Sequence, residues 1–270
     1  MSGELRSIAR KAWKRFWRGI KEAEIVLEVL DPRDPQAFRI PSVEKRLVDM
    51  GKKVILVINK SDLVPRSVLE KWRKFLSREY PTIYVSARNR LGTGNLRRLI
   101  LKLAPKNADI IKVAVIGYPN VGKSSIINVL KGSHSAPTGA KPGVTRHVQI
   151  LRRGRLKILD TPGVFPIEDE TSLVYKGALR IDKLSDPIKH CVELIEYLLK
   201  IDKNVLVRTY NIDEKDPLSI LRELAIIRNK LKKGGEPDIE AAARIILKDW
   251  QDGKIVIWRE PYYAIGNDKA

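Results

Sequence analysis

The chain has 270 residues, room for one large domain or two modest ones, and its 52 Lys and Arg against 32 Asp and Glu leave a net charge of +20. That surplus exceeds what solubility needs and points to a polyanionic partner. The single cysteine, Cys191, excludes an intrachain disulfide framework and a zinc site of several thiolates, and no apolar run reaches the roughly 18 residues of a membrane span, so a soluble, cytoplasmic protein without a membrane partner is expected.

Three parts follow in chain order. Residues 1–21 form a basic amphipathic helix, with Ala9, Trp13, Phe16, Trp17 and Ile20 on one face and Arg10, Lys11, Lys14, Arg15, Arg18 and Lys21 elsewhere. Its aromatic face could rest on the following domain, meet a partner, or lie on an anionic membrane surface. From 22 to 165, short apolar runs alternate with amphipathic segments, the pattern of βαβ units and a mostly parallel sheet. The predicted strands are Glu24 to Leu30, Lys53 to Ile58, Thr82 to Val85, Ile111 to Ile116, His147 to Leu151 and Arg155 to Leu159, with Gly154 turning the last two into a hairpin. Ser67 and Glu70 read as a capping box opening a helix to Arg78, and a second helix runs from Asn95 to Leu103. Residues 166–270 change to helical periodicity, over Ile188 to Leu199, Leu218 to Leu231 and Ile239 to Trp250. Asp216-Pro217 and Pro237-Asp238 are start signals, and Gly234-Gly235 is a stop.

The chemistry sits in the middle part. Gly117-Tyr118-Pro119-Asn120-Val121-Gly122-Lys123-Ser124 satisfies GxxxxGK[ST] between a strand and a helix. Its glycines let the backbone of Asn120, Val121, Gly122, Lys123, Ser124 and Ser125 wrap a di- or triphosphate, Lys123 reaches the β and γ phosphates, and Ser124 completes a Mg²⁺ shell. Such a loop does not name the base. Asn59-Lys60-Ser61-Asp62, at the carboxyl end of a strand, does so, because the Asp62 carboxylate can accept two hydrogen bonds from the N1 and N2 donors of guanine and adenine offers no such pair. Asn59 holds the base and neighbouring loop, and the Lys60 stem lies along the ring. Ser86-Ala87-Arg88, after the third strand, offers backbone N–H groups to guanine O6. Asp160-Thr161-Pro162-Gly163 supplies Asp160 to Mg²⁺ through water and the Gly163 N–H to the γ-phosphate, and Thr145 offers a second Mg²⁺ hydroxyl or is an ordinary loop threonine.

These elements run guanine, guanine, phosphate, switch I, switch II, a circular permutation of the Ras-like order (G4-G5-G1-G2-G3). The expected fold is an α/β, phosphate-loop, Ras-like GTPase domain, permuted, with a helical C-terminal domain. A site assembled from strand ends depends on position in space, so the permutation can leave the pocket intact. Here the sequence resembles the circularly permuted GTPases of the YlqF/RbgA family, which assist assembly of the large ribosomal subunit. Asp31-Pro32-Arg33-Asp34-Pro35 is similar to that family's Asp-Ala-Arg-x-Pro element, with Pro32 in place of Ala, and residues 234–254 resemble the end of its helical domain. The resemblance implies GTP or GDP, Mg²⁺, and a K⁺ ion held by Asn120 where an arginine finger would stand; as a loop residue Asn120 equally suits a turn. The family's N-terminal Gly-His-Met stretch is absent, since the histidines are His134, His147 and His190.

Val164 and Phe165 stand where Ras-like enzymes carry a water-orienting glutamine, so hydrolysis is expected to be slow without a partner. The expected catalytic contributors are Lys123, Asn120, Thr145 and Gly163. Because the chain leaves Gly163 for the helical part, switch II becomes a tether that nucleotide could move. Residues 1–164 hold 34 Lys and Arg against 13 Asp and Glu, and residues 165–270 hold 18 against 19, so the whole surplus lies on one side. A phosphate backbone explains this where a nucleotide's few charges do not. The expected protein is a monomeric assembly factor that binds rRNA and the large ribosomal subunit and is released on hydrolysis. A GTPase module governing RNA modification or translation, and a GTP-binding scaffold with little hydrolysis, are the alternatives.

Overall fold

In a computed structural model of the chain, the described residues are 13, 16–132, 150–160 and 169–261. The chain divides into two compact units, Met1–Pro166 with Glu260–Ala270, and Ile167–Arg259. Residue 260 therefore groups with the first unit and not with the helical part, and its carboxylate meets the Lys71 ammonium at 2.6 Å.

The first unit is built on one sheet. Strands β1 (Ile25–Leu30), β2 (Lys53–Ile58), β3 (Thr82–Tyr84), β4 (Ile111–Ile116), β5 (Ile150–Arg153) and β6 (Leu156–Asp160) lie in the order β3-β2-β1-β4-β6-β5. All neighbours are parallel except β5 against β6, whose hairpin turns at Gly154 with φ 57°. β1 is buried throughout and β2 from Val54 onward, because strands covered on both faces read as unbroken apolar runs. Helices α1 (Pro41–Asp49), α2 (Arg66–Leu76) and α3 (Thr93–Leu103) follow the first three strands, and α4 (Lys123–Lys131) follows β4. Parallel pairing brings the carboxyl ends of β2, β1, β4 and β6 to one edge, with Leu30 level with Ile58 and Val115 level with Asp160.

The expected capping box differs from the structure. Ser67 does not cap α2: the helix starts at Arg66 after Pro65, with no side-chain cap, so Ser67 already lies in the first turn. Glu70 instead accepts from the Tyr84 hydroxyl at 2.7 Å and Arg73 Nε at 2.8 Å, tying α2 to β3. β5 is described only from Ile150, and the expected start at His147 lies outside the described residues. Of the N-terminal helix, residues 16–21 are helical, with Phe16 and Ile20 fully buried. Trp17 is half-buried beneath the Arg46 guanidinium, 4.0 Å from its ring.

The second unit is helical, with α5 (Glu170–Tyr175), α6 (Pro187–Ile201), α7 (Val205–Tyr210), α8 (Pro217–Ile227) and α9 (Ile239–Gln251). Asp169, Asp186, Asp216 and Asp238 cap four of them, accepting from the N–H groups of Ser172, Lys189, Ser219 and Ala241 at 2.8, 3.0, 2.8 and 2.9 Å. Cys191, Leu194, Leu198, Leu224, Ile246 and Trp250 belong to one apolar core, and the Trp250 indole donates to Tyr175 O at 2.8 Å. The helix expected to reach Leu231 ends at Ile227. Gly234 and Gly235, both left-handed, turn a small hairpin that pairs Leu231 with Pro237.

Candidate functional site

β2, β1 and β4 are neighbours, so their carboxyl ends bring together Asn59 to Asp62, Asp31 to Pro35, and the phosphate loop. Asn59 connects them. Its backbone N–H donates to Leu30 O at 3.0 Å, its Nδ2 donates to Val121 O at 2.9 Å, and its Oδ1 accepts from the Ala87 N–H at 3.1 Å. The side chain is buried, so each of these bonds forms away from competing water. Gly122 follows from this arrangement: φ is 97°, and a Cβ there would run into Asn59 Nδ2. At Gly117, φ 133°, a Cβ would strike Val29 O. Asn120 is left-handed, φ 62°, and Val121 is buried.

Lys123 Nζ donates to Tyr118 O at 2.6 Å, folding the lysine over its own loop. Tyr118 is buried, its ring edge-on to Phe38 at 5.9 Å, so the segment after β1 supports the phosphate loop. Ser124 and Ser125 are exposed in the first turn of α4, where helix N–H groups and the positive dipole end favour an anion.

Asp62 is exposed within the 3₁₀ turn Ser61–Leu63, and its Oδ1 accepts from the Ser86 hydroxyl at 2.5 Å. Ser86 Oγ in turn accepts from the Asn89 N–H at 3.1 Å. The tripeptide is itself held from within the protein. The Ser86 N–H donates to Leu91 O at 3.0 Å and the Ala87 N–H to Asn59 Oδ1, so two of the tripeptide's three expected donors to guanine O6 have partners within the protein. Ser86 orients Asp62 through its hydroxyl, and Ala87 receives the Asn59 amide.

Asp160 ends β6 level with Val115 of β4, two residues before Gly117, which places it beside the phosphate loop. Ser124 at the start of α4 and Asp160 at the end of β6 are residue types with hard oxygen donors, the chemistry that suits Mg²⁺. Thr145, Gly163, Val164, Phe165 and His147 lie outside the described residues.

Sequence reasoning gave no chemical role to the Asp31 cluster. Asp31 is buried; its Oδ1 accepts from Arg33 Nε at 2.8 Å and the Arg33 N–H at 3.2 Å, and its Oδ2 from Arg33 Nη2 at 3.1 Å and Lys60 Nζ at 3.3 Å. Burial alone would raise this carboxyl, but the Arg33 and Lys60 charges and the Arg33 hydrogen bonds outweigh it and hold it well below the usual carboxylate range. A second buried network was also missed. Glu28, inside β1, accepts from the Ile40 N–H at 2.8 Å, and Arg39 pairs with Glu44 at 2.5 Å and Glu79 at 2.7 Å. The available signal was a glutamate in the apolar run Ile25–Leu30. In the helical unit, a hollow of about 320 Å³ is bordered by Arg208, Tyr210, Arg228, Asp249 and Lys254. It lies at helix C-termini, whose partial negative charge accounts for the cations. Burial also pushes the Cys191 thiol upward, which suits packing and not nucleophilic work.

A sheet in this order, with the phosphate loop on β4 and a guanine-reading loop on the earlier strand β2, defines a circularly permuted guanine-nucleotide-binding protein. Comparison with known proteins agrees. A family described as RsgA GTPase matches residues 23–168, and one described as 50S ribosome-binding GTPase matches residues 112–229. GNP-bound YlqF from T. maritima superposes with a TM-score of 0.66 at 26% identity, covering 93% of this chain and 98% of that one. An uncharacterized GTP-binding protein of Methanocaldococcus jannaschii is 40% identical over 255 residues, 93% of this chain and 67% of the relative. Nuclear/nucleolar GTPase 2 of Arabidopsis thaliana is 36% identical over 263 residues, 94% of this chain but 45% of the relative, so the chain spans less than half of that protein. The chain belongs to the circularly permuted YlqF-like GTPases, and guanine nucleotide is its ligand.

Proposed function

We propose that this chain is a GTP-hydrolysing assembly factor that binds rRNA on a precursor of the large ribosomal subunit and leaves on hydrolysis. The observation that carries the reading is the division of charge: residues 1–164 hold a surplus of 21 cations and the remainder is nearly neutral. Arg66, Lys74, Arg78, Arg88, Arg90 and Arg98 are exposed on the nucleotide-binding unit, a footprint suited to a phosphate backbone. The descriptions "50S ribosome-binding" and "nucleolar" carried by the matched family and relatives support the same partner.

In this reading Asp62 accepts from guanine N1 and N2, Lys60 covers the ring, and Asn59 with Ser86 and Ala87 fixes both loops. The backbone of Asn120, Val121, Gly122, Lys123, Ser124 and Ser125 cradles the phosphates, and Lys123 swings from Tyr118 O to the β and γ oxygens. Ser124, Thr145 and Asp160 would hold Mg²⁺, which when bound neutralises charge on those oxygens. The Gly163 N–H meets the γ-phosphate, and Asn120 holds K⁺, although φ 62° also suits asparagine on backbone grounds alone. Val164 and Phe165 cannot orient water, so the isolated chain hydrolyses slowly and its partner completes the site. Among the described residues no helix is long and apolar enough to cross a membrane, and the compartment in this reading is that of the assembling subunit.

One experiment tests the reading. GTPase rates are measured in K⁺ and in Na⁺, alone and with large subunits, small subunits or bare RNA. The expected result is a faster rate in K⁺ and selective stimulation by large subunits. Selective stimulation by small subunits, or by nothing, overturns the partner, and equal rates in the two salts remove K⁺ from Asn120.

A further inference from the structure

Lysine at position 60 adopts a left-handed backbone, φ 54° and ψ 36°, which L side chains occupy only where the surroundings enforce it. The next residues form the 3₁₀ turn that carries Asp62, so the backbone at 60 aims the lysine and the guanine-reading carboxylate together. The Lys60 ammonium ends 3.3 Å from Asp31 Oδ2, at the carboxyl end of the neighbouring strand β1. Asp31 cannot swing away, because Arg33 grips both of its oxygens and both side chains are almost fully buried. A flexible four-carbon stem is thereby fixed at both ends, by its backbone and by a carboxylate that is itself held.

From this we infer that Asp31 is a positioning residue for guanine-nucleotide binding: oriented by Arg33, it anchors the Lys60 ammonium and so sets the lysine stem as the wall against which the base lies. The inference rests on the reading of Lys60 given above. A lysine stem left loose would lose rotamer freedom each time a base docked, whereas the Asp31 anchor removes that cost before the ligand arrives. Asp31 acts through Lys60 and touches no nucleotide itself.

A double-mutant cycle tests this with GDP titrations on the full chain, using Asp31→Asn, Lys60→Met and the pair together, with ADP as the control nucleotide. Methionine keeps an apolar stem but removes the ammonium, and it leaves the Asp31–Arg33 pair intact. Each single change is expected to weaken GDP binding about five- to tenfold, and the double change no more than either alone, because both remove one coupled device. Multiplying effects, or GDP affinity unchanged by either single substitution, overturn the anchor. Wild-type protein that fails to prefer GDP over ADP instead overturns the underlying reading of the site. Should Asp31→Asn fail to fold because Arg33 is left buried without its carboxylate, Asp31→Asn/Arg33→Met takes its place in the cycle, with the same two outcomes.

Discussion

The two units bury polar groups very differently. In the sheet unit Glu28, Asp31, Arg33, Asp34, Arg39, Glu44, Asn59, Thr82 and Ser86 are buried, whereas the described residues of the helical unit bury His190 and Asp249. Burying such groups is costly unless every one is paired, so a fold carries them where something other than packing requires them. Five of the nine, Asp31, Arg33, Asp34, Asn59 and Ser86, follow directly on β1, β2 or β3, at the edge where the nucleotide loops meet. The helical unit closes on Leu, Ile, Ala and Trp250 instead. Buried polarity thus marks the candidate site more sharply than exposure does: the loops proposed to meet ligand are held in place by polar neighbours beneath them.

If that contrast is right, the largest effect comes from Asn59→Ala. Val121 O and the Ala87 N–H lose their side-chain partner together, at about 1–3 kcal/mol for each buried group left unsatisfied. The expected result is a fall in GDP affinity of about a hundredfold with a loss of stability of about 2–4 kcal/mol, measured by calorimetric titration and denaturant unfolding. GDP affinity equal to wild type would detach Asn59 from the site and break the link between buried polarity and ligand.

The strands were legible in the sequence to within a few residues, because unbroken Val and Ile runs bounded by turn residues admit little else, and Lys53 to Ile58 and Ile111 to Ile116 fall where expected. The long helices were legible for the same periodic reason. α1, α5 and α7 were not read, and in α5 and α7 six residues span fewer than two turns and carry too little period to read. In the proposed site, Gly117 to Ser124 and Asn59 to Asp62 were readable because the roles proposed for them, cradling a phosphate and reading a base, tie residue types to fixed spacings. The role of Asp31 was hidden, because Asp31 and Lys60 are joined by parallel pairing of β1 with β2, and no local pattern records which residues such pairing brings level. The capping box at Ser67 failed for the opposite reason: the local pattern was present, but Tyr84 and Arg73 already claim the Glu70 carboxylate.

A smaller effect sharpens the comparison within the sheet unit, by separating buried polarity that serves ligand from buried polarity that does not. Glu28 lies in mid-strand, not at the strand end, and while ionised its Oε2 has no hydrogen-bond donor among the described residues. Burial first, and then the facing Glu44 charge, push its carboxyl well above the ordinary value, with Arg39 opposing. A raised folded value means that its contribution to stability is fully present below about pH 4, the unfolded range, and is lost as pH rises through the folded value. Glu28→Gln keeps an oxygen for the Ile40 N–H and carries no charge, so its melting temperature relative to wild type should rise from pH 5 to pH 8, with GDP affinity unchanged. A difference that stays flat with pH would show that Glu28 is not the titrating group.

The smallest effect is expected in the helical unit, at Tyr210→Phe. The phenol donates to Asp249 Oδ2 at 3.0 Å, while Lys254 Nζ holds Oδ1 at 2.7 Å, so the carboxylate retains one charged partner after the change. Burial, reinforced by Asp249, keeps the phenol protonated through the neutral range, so the cost of losing it is independent of pH there. That cost is about 1 kcal/mol, read as a melting shift of about 2–4 °C, because a single hydrogen bond is lost and no charge is stranded. GDP affinity should match wild type, since none of these residues lies on the sheet edge proposed to hold the nucleotide. A change in GDP affinity would mean that the buried polar pair of the helical unit is energetically linked to the nucleotide loops, and the contrast between a ligand-serving unit and a packing unit would no longer hold.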